Sequence, residues 1–249
     1  MSAHDQPHVN DFGDLRSLQF NGLTVQSMMS MSYPHLLALD YTRAMMGFLL
    51  FCPQPADILM IGLGGGSLAK YCLYTLPTVR FTAVEINPEV IALREQFAIP
   101  ADDDHFRIIC ADGAAHLRNL EAPVDVLLVD GFNAKGLPPE LSSMDFYADC
   151  ERALSPQGVM AINLWAGDPR YPVYIARLRE AFAGRVLSIP AEEGDNRISF
   201  ALGHGARIPT RKQLHDRTAQ LDLVHSFNVG DISQRILKRL ESRREGSAS

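Results

Sequence analysis

Cysteine is scarce in this 249-residue chain, and its spacing limits the possible folds. The four cysteines are far apart and form no Cys-x-x-Cys pair: Cys52, Cys72, Cys110 and Cys150. A disulfide scaffold or a structural zinc site needs paired or closely spaced cysteines. We therefore expect reduced, buried thiols in a cytoplasmic protein.

An excess of positive charge and long apolar runs are absent too. The net charge is -6 and the pI is about 5.7, which argues against a nucleic-acid surface as the main binding face. The longest apolar run, residues 44–52, is too short to span a bilayer. The first fourteen residues are polar and acidic, unlike a signal peptide. We expect no membrane span and no nucleic-acid partner.

Repeats, low-complexity segments and metal-binding spacings are also missing. The eight histidines show neither His-x-His nor His-Glu-x-x-His, so we expect no metal site. The absence of a repeat of solenoid length excludes repeat architectures. What remains is a chain with 47% hydrophobic and 21% charged residues, a composition that supports a sizeable core.

From residue 57 onward, β-rich runs alternate with helical patterns. The predicted strands are 57–62, 80–86, 106–111, 124–130 and 158–165, and the predicted helices are 66–76, 88–97, 113–119, 139–153 and 171–183. Runs such as ILMI and VLLV are apolar on successive residues, which indicates strands covered on both faces. The pattern predicts an α/β fold with a doubly wound, mostly parallel sheet.

The flanking segments complete the predicted fold. An Asn-Gly pair at 21 and 22 predicts a β-hairpin over 15–32, after a loose segment 1–14 and before a helix over 35–51. A second hairpin, 185–190 and 197–203, brings the sheet to seven strands, and two helices follow at 209–222 and 229–243. This order is that of the Rossmann-like class I methyltransferase fold. We expect three parts: an N-terminal hairpin and helix region 1–55, a nucleoside-binding domain 56–205, and C-terminal helices 206–249 packed on that domain.

A glycine-rich loop follows the first strand of the alternating pattern. Gly62, Gly64 and Gly66 form a Gly-x-Gly-x-Gly turn, and a helix is expected to start near Ser67. Glycine allows positive φ and a close approach of the main chain to a ligand, whose polar end the helix amides can receive. Ser67 breaks the dinucleotide fingerprint, and no Gly-Lys-Ser/Thr follows as in a P-loop. An NAD-dependent oxidoreductase is therefore a distant possibility.

Acidic residues end the next three strands, where ligands bind in open α/β sheets. Glu85 can accept both hydroxyls of a ribose, although a solvated strand-end acid has the same sequence. Asp112 can cap the following helix, accept from an adenine amino group, or do both. Asp130 is the best candidate for chemistry, with an ordinary loop-capping acid as the alternative. Together with the glycine loop, these acids predict an adenosyl ligand.

From about Leu15 to Trp165 the chain resembles the spermidine synthase family, the polyamine aminopropyltransferases. The resemblance implies a decarboxylated S-adenosylmethionine donor and a small amine acceptor. It also implies a role for each matching residue. The loop GLGGGS (including Gly65), Gln26, Glu85 and the pair Asp112–Gly113 would bind the donor, with Asp130 and Tyr41 as catalytic residues. Tyr41 in a helix can equally be a core residue.

Three positions depart from the family pattern. Gly65 stands where the family has an Asp that contacts the donor's aminopropyl amine. Asn133 stands where a second Asp helps to bind the acceptor, and Thr42 replaces a usual Gln. An Asn brings no charge, and charge-assisted hydrogen bonds are about twice as strong as neutral ones. We still expect Asn133, Tyr41 and Trp165 to line the acceptor side.

Three functions stay open at this point. The first is a spermidine-synthase-like transferase that moves an aminopropyl or related alkyl group to a small amine. The second is an S-adenosylmethionine-dependent methyltransferase, favoured by Gly65 because no acid there repels the methionine carboxylate. The third is a non-catalytic adenosyl-binding protein, against which Asp130 argues. The resemblance alone implies a homo-oligomer, commonly a dimer.

Overall fold

A small antiparallel sheet precedes the main one in the computed structural model, which describes residues 5–20 and 24–245. Its strands are β1 Pro7–Phe12, β2 Leu15–Phe20 and β3 Thr24–Ser30, and β2 pairs with both neighbours. The pairing of β2 with β3 confirms the predicted hairpin, whose Asn-Gly turn lies outside the described residues. The expectation that residues 1–14 are loose is wrong for β1. That strand has little apolar sequence of its own and forms through main-chain pairing with β2.

The helix that follows starts later than the sequence predicts. Helix α1 covers Asp40–Met45 and continues as a 3₁₀ helix, Met46–Leu50, so the predicted start at residue 35 is wrong. Side chains of the helix donate hydrogen bonds to main-chain carbonyls of the segment that precedes it. Thr42 Oγ1 donates to Leu39 O at 2.5 Å, and Arg43 Nη1 donates to Leu37 O at 2.9 Å.

Seven strands form the main sheet, as predicted. They are β4 Asp57–Ile61, β5 Arg80–Glu85, β6 Phe106–Cys110, β7 Val124–Val129, β8 Leu154–Trp165, β9 Val186–Pro190 and β10 Asn196–Leu202, in the spatial order β6-β5-β4-β7-β8-β10-β9. Strands β4 to β8 are parallel, and β10 runs antiparallel to both neighbours. The chain moves from β4 towards one edge, then returns to β7 on the other side of β4. This reversal is the position at which such sheets bind ligands.

Helices cover both faces of this sheet. They are α2 Ser67–Thr75, α3 Pro88–Ala92, α4 Gly113–Arg118, a 3₁₀ turn Pro139–Leu141, α5 Met144–Ala153, α6 Tyr171–Ala181, α7 Arg211–Leu221 and α8 Val229–Glu245. The predicted helix 139–153 is broken because the side chain of Ser143 accepts from Phe146 N at 3.0 Å and starts α5 anew. The predicted helix 88–97 ends at Ala92 instead.

Two apolar clusters fill the space between the sheet and its helices. Met60 packs in the cluster with α2, α7 and α8, whereas its neighbour Leu59 packs in the cluster with α4, α5 and α6. Successive strand residues thus point into opposite clusters, which explains the unbroken apolar runs. The division into three parts stays a prediction, although α8 does pack against β9.

Two expectations drawn from composition have different outcomes. All four cysteines are free thiols, but Cys110 is exposed at the end of β6, so the expectation of buried cysteines is wrong there. In the part of the chain that the structure describes, no helix has the length and apolar character needed to cross a membrane.

The close packing at Gly47 predicts a stability effect. A Cβ at this position would lie 2.8 Å from Phe200 Cζ and 2.9 Å from Ile232 Cγ2, so we expect Gly47→Ala to lower the free energy of unfolding by about 1–3 kcal/mol. Gly230→Ala is the matched control, because Gly230 lies in the first turn of α8 and its nearest neighbour is the Asn228 side chain at 3.3 Å. We expect a change of less than about 1 kcal/mol there. Urea unfolding of both variants checks this, and equal losses would contradict it.

Candidate functional site

A cavity of about 930 Å³ opens at the carboxyl ends of the central strands. Its wall contains residues at or just after the carboxyl ends of β4, β5, β6, β7 and β8, together with parts of β3 and α1. The following predicted site residues line it: Gln26, Tyr41, Gly62, Gly64, Glu85, Asp112, Gly113, Asp130, Asn133 and Trp165. Residues that are up to 139 positions apart in sequence therefore share one cleft.

Gly62 sets the distance between the two halves of this cleft. Its φ is +88°, and a Cβ added to it would collide with the main-chain carbonyl oxygen of Asp130. In addition, Asp130 N donates to Ile61 O at 2.9 Å. Only glycine permits so close an approach, so Gly62 keeps the glycine loop against the end of β7.

The last two glycines of the loop do not line the cavity. A Cβ on Gly65 would lie 2.7 Å from Ser27 Oγ, and one on Gly66 would lie 2.6 Å from Ile99 Cγ1. Both positions therefore pack the loop against its surroundings. Their predicted contact with a cofactor stays a prediction.

Glu85 is buried at the end of β5 and is held by two main-chain amides. Oε2 accepts from Leu63 N at 2.9 Å, and Oε1 accepts from Asn87 N at 2.9 Å. The carboxylate is thus tied to the glycine loop and fixed in the cavity wall. Each oxygen keeps a lone pair that can accept from a ligand hydroxyl.

Asp112 caps α4, which confirms the first of the two roles predicted for it. Its Oδ1 accepts from Ala115 N at 2.8 Å, and the residue also lines the cavity. The neighbouring Gly113 is buried, and a Cβ on it would collide with the side chain of Ile61. A contact of Asp112 with an adenine stays a prediction.

Asp130 receives one hydrogen bond on each carboxylate oxygen. Asn163 Nδ2 donates to Oδ1 at 3.0 Å, and the Tyr41 hydroxyl lies 3.1 Å from Oδ2. The Gln26 carbonyl oxygen, 3.2 Å away, is a second acceptor for that hydroxyl. Tyr41 is thus part of the site and not only a core residue.

Burial dominates the titration of this group. It raises the pKa of Asp130 above its ordinary value, while the hydrogen bonds from Asn163 and Tyr41 oppose the rise. Burial also raises the pKa of Tyr41 well above its ordinary value, and the negative charge of Asp130 adds to that effect. Tyr41 therefore stays protonated at neutral pH and can donate.

Two asparagines in the wall were missed by sequence reasoning. Asn163, on β8, is 3% exposed, and its Oδ1 accepts from Asn196 Nδ2 at 2.9 Å. This bond orients the Asn163 amide so that its NH₂ group faces Asp130. The available signal was an amide inside the apolar run VMAINLW, since a buried polar side chain needs partners.

Two residues predicted to line the acceptor side, Trp165 and Asn133, have different local environments. Trp165 lines the cavity and is 48% exposed. Asn133 also lines it, but its Oδ1 accepts from Lys135 N at 2.8 Å, and its main chain pairs with Gly136. The Asn133 side chain therefore shapes the loop after β7.

Negative charge predominates in the cavity wall. Its carboxylates are those of Asp5, Asp40, Glu85, Asp112, Asp130 and Glu140. Among the described lining residues, Lys135 is the one basic side chain. Such a wall favours a cationic ligand. Within the described ranges, no group of three or more His, Cys, Asp or Glu is placed to hold a metal ion, and the lack of a metal cofactor stays a prediction.

Curated relatives agree with the predicted family. The chain is 39% identical to a polyamine aminopropyltransferase of Chromobacterium violaceum over 95% of its length and 91% of the relative. It is 45% identical to one of Neisseria meningitidis serogroup A over 91% of its length and 87% of the relative.

Solved structures agree on the fold. A probable spermidine synthase from Corynebacterium glutamicum has a TM-score of 0.72 at 19% identity, with 92% of this chain and 91% of that chain covered. Human methyltransferase-like protein 13 in complex with SAH has a TM-score of 0.68 at 23% identity, with 75% and 92% covered. The class I methyltransferase fold predicted from the order of elements is confirmed.

A family model completes the comparison. The model described as the spermine/spermidine synthase domain matches residues 39–172, which include Tyr41, the glycine loop and Asp130. The matched segment thus contains most of the cavity wall. The chain belongs to the spermine/spermidine synthase family and is a spermidine-synthase-like transferase.

Proposed function

We propose that this protein transfers an aminopropyl group from a decarboxylated S-adenosylmethionine-type donor to a small amine. One observation carries the proposal. In an acid-lined cavity, Asp130 is held by Tyr41 and Asn163 beside a glycine loop that is tied to Glu85. The names of the curated relatives, polyamine aminopropyltransferases, support the same reaction.

The nucleoside half of the donor fits the side of the cavity formed by β4, β5 and β6. The free lone pairs of Glu85 are available to two ribose hydroxyls. The second carboxylate oxygen of Asp112 can accept from the adenine amino group, because only Oδ1 is used in capping α4. The positive charge of a sulfonium is stabilised by the acidic wall.

The transfer itself is an in-line displacement at carbon. The acceptor nitrogen forms a bond to the propyl carbon next to the sulfonium, the carbon–sulfur bond breaks, and its electron pair leaves on sulfur as methylthioadenosine. An alkyl ammonium has a pKa of about 10, so the attacking nitrogen must first lose a proton. Asp130, with its raised pKa, is suited to accept it. Holding the reactants in line supplies most of the remaining acceleration.

Tyr41 and Asn163 hold the Asp130 carboxylate for this step. With one donor on each oxygen, the carboxylate cannot rotate freely, and one lone pair of each oxygen remains for the amine. Tyr41 keeps its proton because its own pKa is strongly raised.

Methyl transfer is the second candidate function, and Gly65 favours it. This position provides no carboxylate to repel the methionine carboxylate of S-adenosylmethionine, and its Cα faces Ser27 and Phe97. The choice of donor separates the two reactions. A cytoplasmic location and a homo-oligomer also stay predictions.

Donor preference tests the proposed function directly. We expect decarboxylated S-adenosylmethionine to bind at least tenfold more tightly than S-adenosylmethionine in calorimetry, and mass spectrometry to detect an aminopropylated diamine. Tighter binding of S-adenosylmethionine with a methylated product would establish methyl transfer instead. Binding of neither donor, nor of methylthioadenosine, at micromolar concentrations would leave a non-enzymatic role.

Asp130→Asn and Glu85→Ala should affect different steps. We expect Asp130→Asn to lower kcat by about 10²–10⁴-fold with donor affinity unchanged, because the proton acceptor is lost. Glu85→Ala should weaken methylthioadenosine binding by about 10–100-fold, because two charge-assisted hydrogen bonds are lost. Steady-state kinetics measures kcat of Asp130→Asn, and calorimetry measures methylthioadenosine binding to Glu85→Ala. An unfolding curve for each variant is the folding control. Unchanged turnover in Asp130→Asn would show that Asp130 is not the proton acceptor.

Tyr41→Phe should cost stability in a pH-dependent way. Loss of this donor raises the pKa of Asp130 further, because the ionised form loses a hydrogen bond. The cost is therefore full above the pKa of Asp130, where the carboxyl is ionised, and amounts to about 1–2 kcal/mol. It shrinks as the pH falls through the pKa of Asp130 and the carboxyl becomes protonated in both proteins.

Tyr147→Phe is the matched control for that measurement. The Tyr147 hydroxyl is buried and has no hydrogen-bond partner among the described residues, so its removal should cause little loss and no pH dependence. Urea unfolding between pH 4 and pH 8 compares the three proteins. A pH-independent loss in Tyr41→Phe would show that Tyr41 does not hold the ionised Asp130.

A further inference from the structure

Asp40 is a carboxylate in the cavity wall that the proposed reaction has not used. It is the first residue of α1 and lies directly before Tyr41, whose hydroxyl contacts Asp130. Its negative charge is also one of the smaller contributions to the raised pKa of Tyr41. Asp40 is therefore near the reacting end of the cavity.

The topology places Asp40 away from the nucleoside groups. Glu85 ends β5 and Asp112 follows β6, and these two strands lie at one edge of the sheet. Helix α1 instead packs against β8 and β10, and Asp40 Oδ2 accepts from Glu193 N, in the turn between β9 and β10, at 2.7 Å. Asp40 thus lies on the opposite side of Asp130 from the predicted ribose and adenine contacts.

The Asp40 carboxylate is held in place by a hydrogen bond but has no basic partner among the described residues. The bond from Glu193 N holds Oδ2, while Oδ1 accepts no hydrogen bond from any described residue. The neighbouring acid Glu192 has two basic partners, Arg43 and Arg235, but Asp40 forms no ion pair within the described ranges. A half-buried carboxylate without a cation is available to a ligand cation.

A diamine acceptor needs a second acid of this kind. One of its nitrogens must be neutral to attack, beside Asp130, while the other stays an ammonium at neutral pH. Asn133 brings no charge, and its side-chain oxygen is used by Lys135 N. An ammonium enclosed in a cavity without an anionic partner is unfavourable.

We infer that Asp40 binds the distal ammonium of a diamine acceptor and thereby selects diamines over monoamines. The inference rests on the proposed aminopropyl transfer and adds to it a residue that determines acceptor specificity. Asp130 takes the proton of the attacking nitrogen, and Asp40 Oδ1 accepts from the distal one. No bond is made or broken at Asp40, so it determines specificity without taking part in the chemistry.

Asp40→Asn tests the inference, because the amide oxygen can still accept from Glu193 N while the charge is lost. We expect kcat/KM for a four-carbon diamine to fall by about 10–100-fold, and kcat/KM for the monoamine of equal length to change less than twofold. The KM of the sulfonium donor should stay unchanged. Asp145→Asn is the matched control, since Asp145 is exposed in the first turn of α5 and does not line the cavity.

The outcomes separate this inference from the proposed function. If the unaltered protein aminopropylates neither amine, the proposed function fails. If it does so and Asp40→Asn affects both amines equally, Asp40 does not select the acceptor and the inference is overturned. A rise in the donor KM with unchanged acceptor preference would assign Asp40 to the donor's own ammonium, which also overturns it. If Asp145→Asn lowered kcat/KM for the diamine as much as Asp40→Asn does, the effect would come from the loss of one negative charge at a helix start, and the inference would be overturned.

Discussion

The close approach of Gly62 to Asp130 is the constraint on which the site depends. The two residues end neighbouring parallel strands, and a side chain at Gly62 would push the strand ends apart. Because the glycine loop and Asp130 meet there, a ligand held by one lies beside the other. Glu85 on β5, Asp112 after β6, and the polar network of Asp130 and Asn163 thus line a single cleft.

Hydrogen bonds inside this cleft fix each carboxylate in a different way. The carboxylates of Glu85 and Asp112 both accept hydrogen bonds from main-chain amides, and that of Asp112 thereby caps α4. Such an arrangement suits acids that bind a neutral sugar or base. Side-chain donors hold Asp130, whose pKa is raised by burial, which suits an acid that accepts a proton. The acids of this one cavity therefore differ in their solvation and in their hydrogen-bond partners.

The family's departures have local structural consequences in this chain. Gly65 faces Ser27 and Phe97, so the loop carries no acid at that point, and Asn133 uses its side chain within its own loop. Negative charge nevertheless remains plentiful in the wall, where Asp40, Asp5 and Glu140 contribute carboxylates from other segments.

Local patterns in the sequence by themselves determined the β/α alternation, the buried strands, the glycine loop and the acids at the strand ends. They did so because hydrophobic periodicity and strand-end position depend on neighbouring residues. They also determined the family, through residues of the loop and of the segment that starts at Asp130. Strand β1 forms because its main chain pairs with β2, which overrides the weak local preference of its residues. The late start of α1 follows from bonds of the Thr42 and Arg43 side chains to carbonyls just before the helix, which hydrophobic periodicity does not reveal. Tertiary structure also decided the placement of Asn163, Asn196 and Asp40, because only the folded sheet brings residues from β8, β10 and α1 to one carboxylate and its neighbours.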